Sequence, residues 1–227
     1  MRISVFLLTI MAGQALFANE PVPPDPNRFA GEISAFEQWD NKNSFPADAV
    51  LFVGSSTIRM WQTRASFPDL PVINRGFGGS HTSDINFYFK RVVSPYKPKV
   101  IVFYAGDNDI ASGKSTQQVL EDFRRFVEMV RDKLPRTPII FISIKPSESR
   151  WNFWPVTKQA NEMVRLFCES NNLLTFVDAA SVLLNADGKV NNELFLADKL
   201  HMNEKGYRKW TQVLRPVIER EFVRKND

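Results

Sequence analysis

An aspartate and a histidine near the C-terminus have the spacing of a catalytic pair. The segment Asp198-Lys199-Leu200-His201 places a carboxylate three residues before one of the two histidines in the chain. Side chains at this spacing can meet in one tight turn, where the carboxylate orients the imidazole and stabilises its protonated form. A histidine held in this way can act as a general base if a neighbouring group has a proton to lose.

Three other segments offer the groups that such a base would need. Ser55-Ser56-Thr57 could supply a nucleophilic hydroxyl, or it could only cap the following helix. Gly79 could donate its backbone N–H to a developing oxyanion, since glycine lets the backbone approach closely, or it could only form a turn. Asn108 could donate its side-chain N–H to the same oxygen, or it could be an ordinary loop residue. Together with His201, these groups predict acyl transfer to water.

The elements that must position these residues alternate along the chain. Short apolar runs without polar alternation predict strands covered on both faces, at residues 50–53, 72–74, 100–104, 139–144 and 174–177. Amphipathic spacing predicts helices at residues 29–39, 84–93, 116–134, 156–171 and 204–223, with Ser115 and Asn203 as N-caps. This alternation predicts an α/β fold, a three-layer α/β/α sandwich with a mostly parallel, roughly five-stranded sheet.

The polar segments follow the predicted strands. In open α/β sheets, ligands bind beyond the carboxyl ends of the strands. Ser56, Gly79 and Asn108 each come shortly after a predicted strand, and the turn from Asp198 to His201 precedes the last helix. We therefore expect a hydroxyl, backbone amides, a side-chain amide and an imidazole to meet at one edge of the sheet.

The order of these segments is typical of one enzyme family. The segments are Gly54-Ser55-Ser56, Gly79, Gly106-Asp107-Asn108-Asp109 and Asp198-Lys199-Leu200-His201, the last extended to Tyr207. In order and spacing they resemble the four motif blocks of the SGNH (GDSL-type) esterases and acylhydrolases. The resemblance covers about residues 48–223 and implies the flavodoxin-like SGNH hydrolase fold.

The resemblance also implies a role for each site residue. Ser56 would be the nucleophile, His201 the general base and Asp198 its orienting partner. The backbone N–H groups of Ser56 and Gly79 and the side chain of Asn108 would form the oxyanion hole. No cofactor is implied, and we expect no metal site, because two histidines without a further cluster of ligands make one improbable.

The sequence departs from the family pattern at two positions. Ser55 stands where the family usually has aspartate, which removes a carboxylate near the site and leaves the nucleophile slightly open between the two serines, although Ser56 takes the serine position of the family's first block. Ser80 stands where related sequences often have aspartate, which is a milder departure. Further candidates for contact with the substrate are Ser55, Arg75, His81, Trp151 and Trp154. The sequence does not place these side chains around the cleft, nor those of Lys145 and Arg150.

We therefore predict a carboxylic ester hydrolase that acts on small-acyl esters, with acetylated carbohydrates as one class of substrate. No large apolar insertion is available to form a lid, which favours short acyl chains. Two alternatives remain open: an acylhydrolase of the lysophospholipase or thioesterase type, and a non-catalytic, exported carbohydrate-binding protein. The net charge of +4 is spread through the chain, so we expect a small-molecule ester as partner and no nucleic acid.

The N-terminal residues have the pattern of an export signal. Met1-Arg2 provides a positive start, and residues 3–17 are mostly apolar, which predicts a signal peptide at residues 1–18 and a periplasmic or secreted protein. The run falls short of the ~18–20 residues of a membrane span, so we expect no stable span after its removal. We divide the rest into a Pro-rich linker with an N-terminal helix at residues 19–47 and a hydrolase domain at residues 48–227.

Overall fold

The five predicted strands pair in parallel as one sheet. The computed structural model describes residues 24–224, so the predicted signal peptide lies outside the described residues. The sheet has the order β2-β1-β3-β4-β5. Its strands are β1 (Val50–Gly54), β2 (Val72–Gly76), β3 (Val100–Tyr104), β4 (Ile139–Ile142) and β5 (Leu174–Val177). The predicted α/β sandwich is confirmed.

Helices cover both faces of the sheet. They are α1 (Ala30–Asp40), α2 (Ser56–Arg59), α3 (Thr63–Ser66), α4 (Thr82–Phe87), α5 (Phe89–Val92), α6 (Asp107–Ala111), α7 (Thr116–Lys133), α8 (Trp154–Glu169) and α9 (Glu204–Val223). Short 3-10 turns lie at Pro26–Phe29, Ser94–Tyr96, Glu148–Phe153, Ser181–Leu183 and Asn192–Leu194. Within residues 24–224, no helix combines the length and the hydropathy needed to cross a membrane.

Each strand contributes to two separate cores. Leu51 and Val53 of β1 pack in the core shared with α1, α4, α5, α7 and α8. Val50 and Phe52 pack in the opposite core, shared with α2 and α9. All four side chains are completely buried. Burial on both faces explains why the strands appear in the sequence as continuous apolar runs.

The two predicted N-caps close the long helices. The Ser115 hydroxyl accepts a hydrogen bond from the N–H of Gln118, whose side chain accepts one from the N–H of Ser115, which completes a capping box at α7. The Asn203 side chain accepts hydrogen bonds from the first turn of α9. Both helices carry a strongly amphipathic pattern, so their extent was predictable.

Several boundaries differ from the predicted ones. The helix expected at residues 84–93 is two short helices, α4 and α5, which meet at Tyr88. Strand β4 ends at Ile142 rather than residue 144, because the N–H of Ile144 donates to the side chain of Asn161 in α8. Helices α2, α3 and α6 were not predicted, since four or five residues are too few to show a period.

The side chain of Arg75, suggested as a substrate contact, makes its contacts with α1 and Tyr96 rather than with the four segments of the candidate site. Its buried guanidinium pairs with Asp40 at the end of α1, and its Nε donates to the Tyr96 hydroxyl at 2.5 Å. It also lies 5.2 Å from the centre of the Phe36 ring. Arg75 therefore anchors α1 to the sheet. The side chain of Ile33 packs the same helix against the core that contains Leu51 and Val53.

We expect Arg75→Met to destabilise the fold, because it leaves the largely buried Asp40 carboxylate without its cation, with the Tyr96 hydroxyl as its remaining donor. Loss of one member of such a pair costs on the order of 3 kcal/mol. Urea unfolding would measure the loss, and Arg75→Met/Asp40→Met should recover part of it. Arg165→Met on the exposed face of α8 is the matched control, with an expected change below about 0.5 kcal/mol. An unchanged free energy of unfolding in Arg75→Met would contradict this role.

Candidate active site

The turn after β1 carries the two candidate nucleophiles. A Cβ on Gly54 would lie 2.0 Å from the carbonyl oxygen of Tyr104, so only glycine allows β1 to approach β3 this closely at its end. The N–H of Ser55 then donates to the same carbonyl at 3.1 Å, and α2 begins at Ser56. The tight packing of β1 against β3 thus holds the start of α2 at the carboxyl edge of the sheet.

The structure distinguishes Ser56 from Ser55. The Ser55 side chain is completely buried, and its hydroxyl has no hydrogen-bond partner among the described residues. Ser56 is partly exposed, and its Oγ lies 3.0 Å from Nε2 of His201. The geometry therefore brings the hydroxyl of Ser56, and not that of Ser55, to the imidazole.

Asp198 and His201 lie in one tight turn before α9. The N–H of Leu196 donates to the carbonyl of His201 at 2.8 Å, and Lys199 has a φ of +54°. Asp198 Oδ1 accepts hydrogen bonds from the N–H groups of Leu200 and His201 at 2.9 and 3.0 Å. Its other oxygen lies 2.6 Å from Nδ1 of His201. The carboxylate therefore folds the turn and orients the imidazole at the same time.

These contacts keep the Asp198 carboxylate ionised. The hydrogen bond from the His201 side chain, and then the two backbone N–H groups, lower the pKa of Asp198 to about 2. Since Asp198 accepts from Nδ1, the Nε2 atom is left without that proton and faces the Ser56 hydroxyl as an acceptor. Ser56, His201 and Asp198, called the triad below, thus have the geometry of nucleophile, base and orienting acid.

Besides the N–H of Ser56 after β1, the candidate oxyanion donors lie in the turns after β2 and β3. Gly79 has a φ of +77°, a backbone conformation that suits glycine. The Asn108 side chain, on the first turn of α6, donates to the carbonyl of Ser80 at 3.1 Å and so connects the two turns. Among the described residues, the N–H groups of Ser56 and Gly79 have no backbone acceptor. Asn108 contacts the backbone carbonyl of Ser80, so this contact does not depend on whether residue 80 is serine or the aspartate found in related sequences.

A buried charged group adjoins Asn108, and the sequence did not assign it a role. Lys145 Nζ and Arg150 Nη1 lie 3.4 and 3.3 Å from the same oxygen of Asp107. Burial alone would raise the pKa of Asp107, but the two cations outweigh it and the pKa is lowered. Lys145 and Arg150 both follow β4, so their position after a strand was the available signal.

His81, another suggested substrate contact, lies at the start of α4. His81 is buried as the N-cap of α4, where its N–H donates to Asp84 at 2.8 Å. Burial, and then the charge of Lys114, lower the pKa of His81. Its Nδ1 atom is buried and has no hydrogen-bond partner among the described residues. Within residues 24–224, no group of three His, Cys, Asp or Glu side chains could hold a metal ion.

Trp151 and Trp154 form a stacked pair after β4. Their ring centres are 6.1 Å apart with 20° between the planes, and 37% of Trp151 is exposed. The 3-10 segment that carries Trp151 is attached to the catalytic turn, because the N–H of Ser149 donates to the carbonyl of Lys199 at 3.2 Å. The pair therefore lies on a segment anchored to the triad.

The chain belongs to the GDSL-like lipase/acylhydrolase family. The family model matches residues 54–209, which include both the turn after β1 and the turn before α9. The resemblance inferred from the four segments is therefore confirmed, and the family is one of ester hydrolases. No curated protein shows significant sequence similarity to this chain.

Solved structures share the fold at low sequence identity. A protein described as a platelet activating factor from Streptococcus pneumoniae has a TM-score of 0.74 and 19% identity, covering 84% of this chain and 93% of its own. A GDSL-like lipase from Bacteroides thetaiotaomicron has a TM-score of 0.69, 20% identity and coverages of 86% and 98%. An acetyl-xylooligosaccharide esterase from Geobacillus has a TM-score of 0.61, 15% identity and coverages of 81% and 98%.

We expect Asp198→Asn to lower kcat/KM for a p-nitrophenyl ester by roughly 10³–10⁴-fold, because the amide can neither fix the imidazole tautomer nor stabilise the imidazolium. The hydrogen bonds of the folded turn need the ionised carboxylate and lower the pKa of Asp198 to about 2, so the carboxylate is protonated only near that pH. A pH–rate profile of the unaltered protein should therefore show no limb from this carboxylate between pH 4 and 9.

Asp187→Asn, in another exposed turn, is the matched control and should leave the profile unchanged. The assignment would be wrong if the unaltered protein showed a carboxylate limb near pH 4–5 that Asp198→Asn removed.

Proposed function

We propose that this chain is a serine esterase that removes small acyl groups from esters through an acyl-enzyme on Ser56. The observation that carries the proposal is the continuous pair of contacts from Ser56 Oγ to His201 Nε2 at 3.0 Å and from His201 Nδ1 to Asp198 at 2.6 Å. An exposed serine beside an oriented imidazole is the arrangement that activates a hydroxyl for attack on a carbonyl.

In the first half of the reaction, His201 removes the Ser56 proton while Oγ attacks the ester carbonyl. The resulting imidazolium is stabilised by the ionised Asp198, and it then gives its proton to the oxygen of the leaving alcohol. The alcohol departs and the acyl group remains on Ser56. In the second half, His201 takes a proton from water as the water attacks the acyl-enzyme, and returns it to Ser56 as the acid leaves.

The charge that forms on the carbonyl oxygen needs preorganised donors. The N–H groups of Ser56 and Gly79 and the second N–H of the Asn108 amide are suited to this, since they belong to turns that the sheet edge holds together. Each donor of this kind contributes on the order of 10²–10³ to turnover. The backbone donors require no side-chain ordering when the substrate binds.

We propose an acetylated carbohydrate as the preferred class of substrate. The exposed indole of Trp151 offers a flat apolar surface of the kind that packs on a sugar ring, and it lies on the segment whose Arg150 contacts Asn108. Among the structural neighbours, the Geobacillus protein is described as an acetyl-xylooligosaccharide esterase.

We expect Ser56→Ala to abolish the burst of p-nitrophenol release and covalent labelling by a fluorophosphonate, because among residues 24–224 no other hydroxyl lies within hydrogen-bond distance of the His201 ring. Ser55→Ala is the matched control: it removes a buried hydroxyl without a partner, so it should keep the burst within about twofold. Intact-protein mass spectrometry would locate the label. Labelling that survives Ser56→Ala and disappears in Ser55→Ala would reverse the assignment, and an inactive unaltered protein would favour the non-catalytic alternative.

We expect Trp151→Ala to raise KM for an acetylated oligosaccharide by about tenfold, which corresponds to ~1.4 kcal/mol, while p-nitrophenyl acetate turnover changes less than twofold. The reason is that only the sugar ester reaches the indole. The control is Trp39→Ala, which removes a different exposed indole, on α1.

Equal loss on both esters would mean that Trp151 supports the fold rather than the sugar. Faster turnover of p-nitrophenyl octanoate or a lysophospholipid than of acetyl esters would favour the acylhydrolase alternative.

A further inference from the structure

Arg150 contacts the side chain of Asn108 from the side opposite to Ser80. Its Nη2 donates to Asn108 Oδ1 at 2.9 Å, while Asn108 Nδ2 donates to the carbonyl of Ser80 at 3.1 Å. The amide of Asn108 is therefore held at both ends. Both contacts are partly buried, so water competes with them only weakly.

The chemistry of the two partners permits only one orientation of the amide. An asparagine side chain can turn by 180° and exchange its oxygen with its nitrogen. A guanidinium has donors and no acceptor, so it accommodates only the oxygen, and a carbonyl accommodates only the nitrogen. Since Ser80 takes one of the two Nδ2 hydrogens, the other remains to donate to a substrate oxygen.

Arg150 is itself held in place by charge. Its Nη1 lies 3.3 Å from the buried carboxylate of Asp107, which also pairs with Lys145. The other oxygen of Asp107 accepts from the backbone N–H of Asn108 at 3.1 Å. One carboxylate thus positions both the guanidinium and the backbone of the residue that the guanidinium contacts.

The same segment is connected to the catalytic turn. Glu148, two residues before Arg150, pairs with Lys199 at 2.5 Å, and Ser149 donates to the Lys199 carbonyl. Lys199 lies between Asp198 and His201 in the chain. The segment that positions the amide of Asn108 is therefore attached to the turn that positions the base.

We propose that Arg150 is a positioning residue for the oxyanion hole, which acts through Asn108 by fixing the side-chain amide with its N–H group toward the substrate. The proposal rests on the esterase function proposed above. It predicts an effect on the chemical step rather than on substrate binding, because the ground-state carbonyl needs the donor less than the oxyanion does.

Steady-state kinetics with p-nitrophenyl acetate would test this role. Arg150→Met should lower kcat by roughly 10–100-fold, part of the loss caused by removing an oxyanion donor, with KM changed less than threefold. Arg150→Lys keeps a side chain that only donates, so it should lower log kcat by at most half as much as Arg150→Met does. Arg150→Gln introduces a side chain that can also accept and tolerate the flipped amide, so its kcat should fall about as far as that of Arg150→Met. Arg165→Met, the same change on the exposed face of α8, should leave kcat unchanged.

A double-mutant cycle with Asn108→Ala separates positioning from a general structural effect. If Arg150 acts through Asn108, Arg150→Met should lower kcat by less than threefold in the Asn108→Ala background. Melting temperatures identify folded variants, and should Arg150→Met not fold, Arg150→Lys and Arg150→Gln provide the same cycle.

The outcomes distinguish this inference from the function on which it rests. Additive losses in the cycle, an unchanged kcat in Arg150→Met, or a loss confined to KM would overturn the positioning role while leaving the esterase intact. An unaltered protein without ester turnover, or turnover that persists in Ser56→Ala, would instead overturn the proposed function.

Discussion

The contact between Ser56 and His201 joins residues that are 145 positions apart, and the architecture of the site depends on it. The turn that carries His201 lies beside α2 because the Tyr207 hydroxyl, in the first turn of α9, donates to the carbonyl of Thr57 at 2.8 Å. β1 lies between β2 and β3, so the turns that follow these three strands are neighbours. The close approach of β1 to β3 at Gly54 sets where α2 begins, and hence where the Ser56 hydroxyl lies.

Charge is distributed around the site in a way that suits the chemistry. The Asp198 carboxylate is partly exposed, yet three donors keep it ionised, so it can stabilise a positive imidazole. Behind Asn108, two cations share the buried carboxylate of Asp107, which leaves an excess of positive charge near the position of the proposed oxyanion. Negative charge thus lies beside the base and positive charge beside the oxyanion donors, which is the polarity that acyl transfer needs.

Most of the fold could be predicted from the sequence because its signals are local. Strands buried on both faces appear as apolar runs, and α7 and α9 combine amphipathic spacing with side-chain caps. The boundaries that differ depend on contacts from elsewhere in the chain. The side chain of Asn161 hydrogen-bonds both backbone groups of Ile144, so β4 ends before that residue. Asp40 pairs with Arg75, which the sequence had suggested as a substrate contact.

The sequence by itself determined the family and the four segments of the site, because residue types at fixed spacings carry that information. It also determined the turn from Asp198 to His201, whose hydrogen bonds span only two or three residues. Only the tertiary structure places the Ser56 hydroxyl beside His201 and buries that of Ser55, since burial and distance are properties of the packed turn. It alone placed Arg150 against Asn108, because a contact across 42 residues leaves no periodic or local pattern in the sequence.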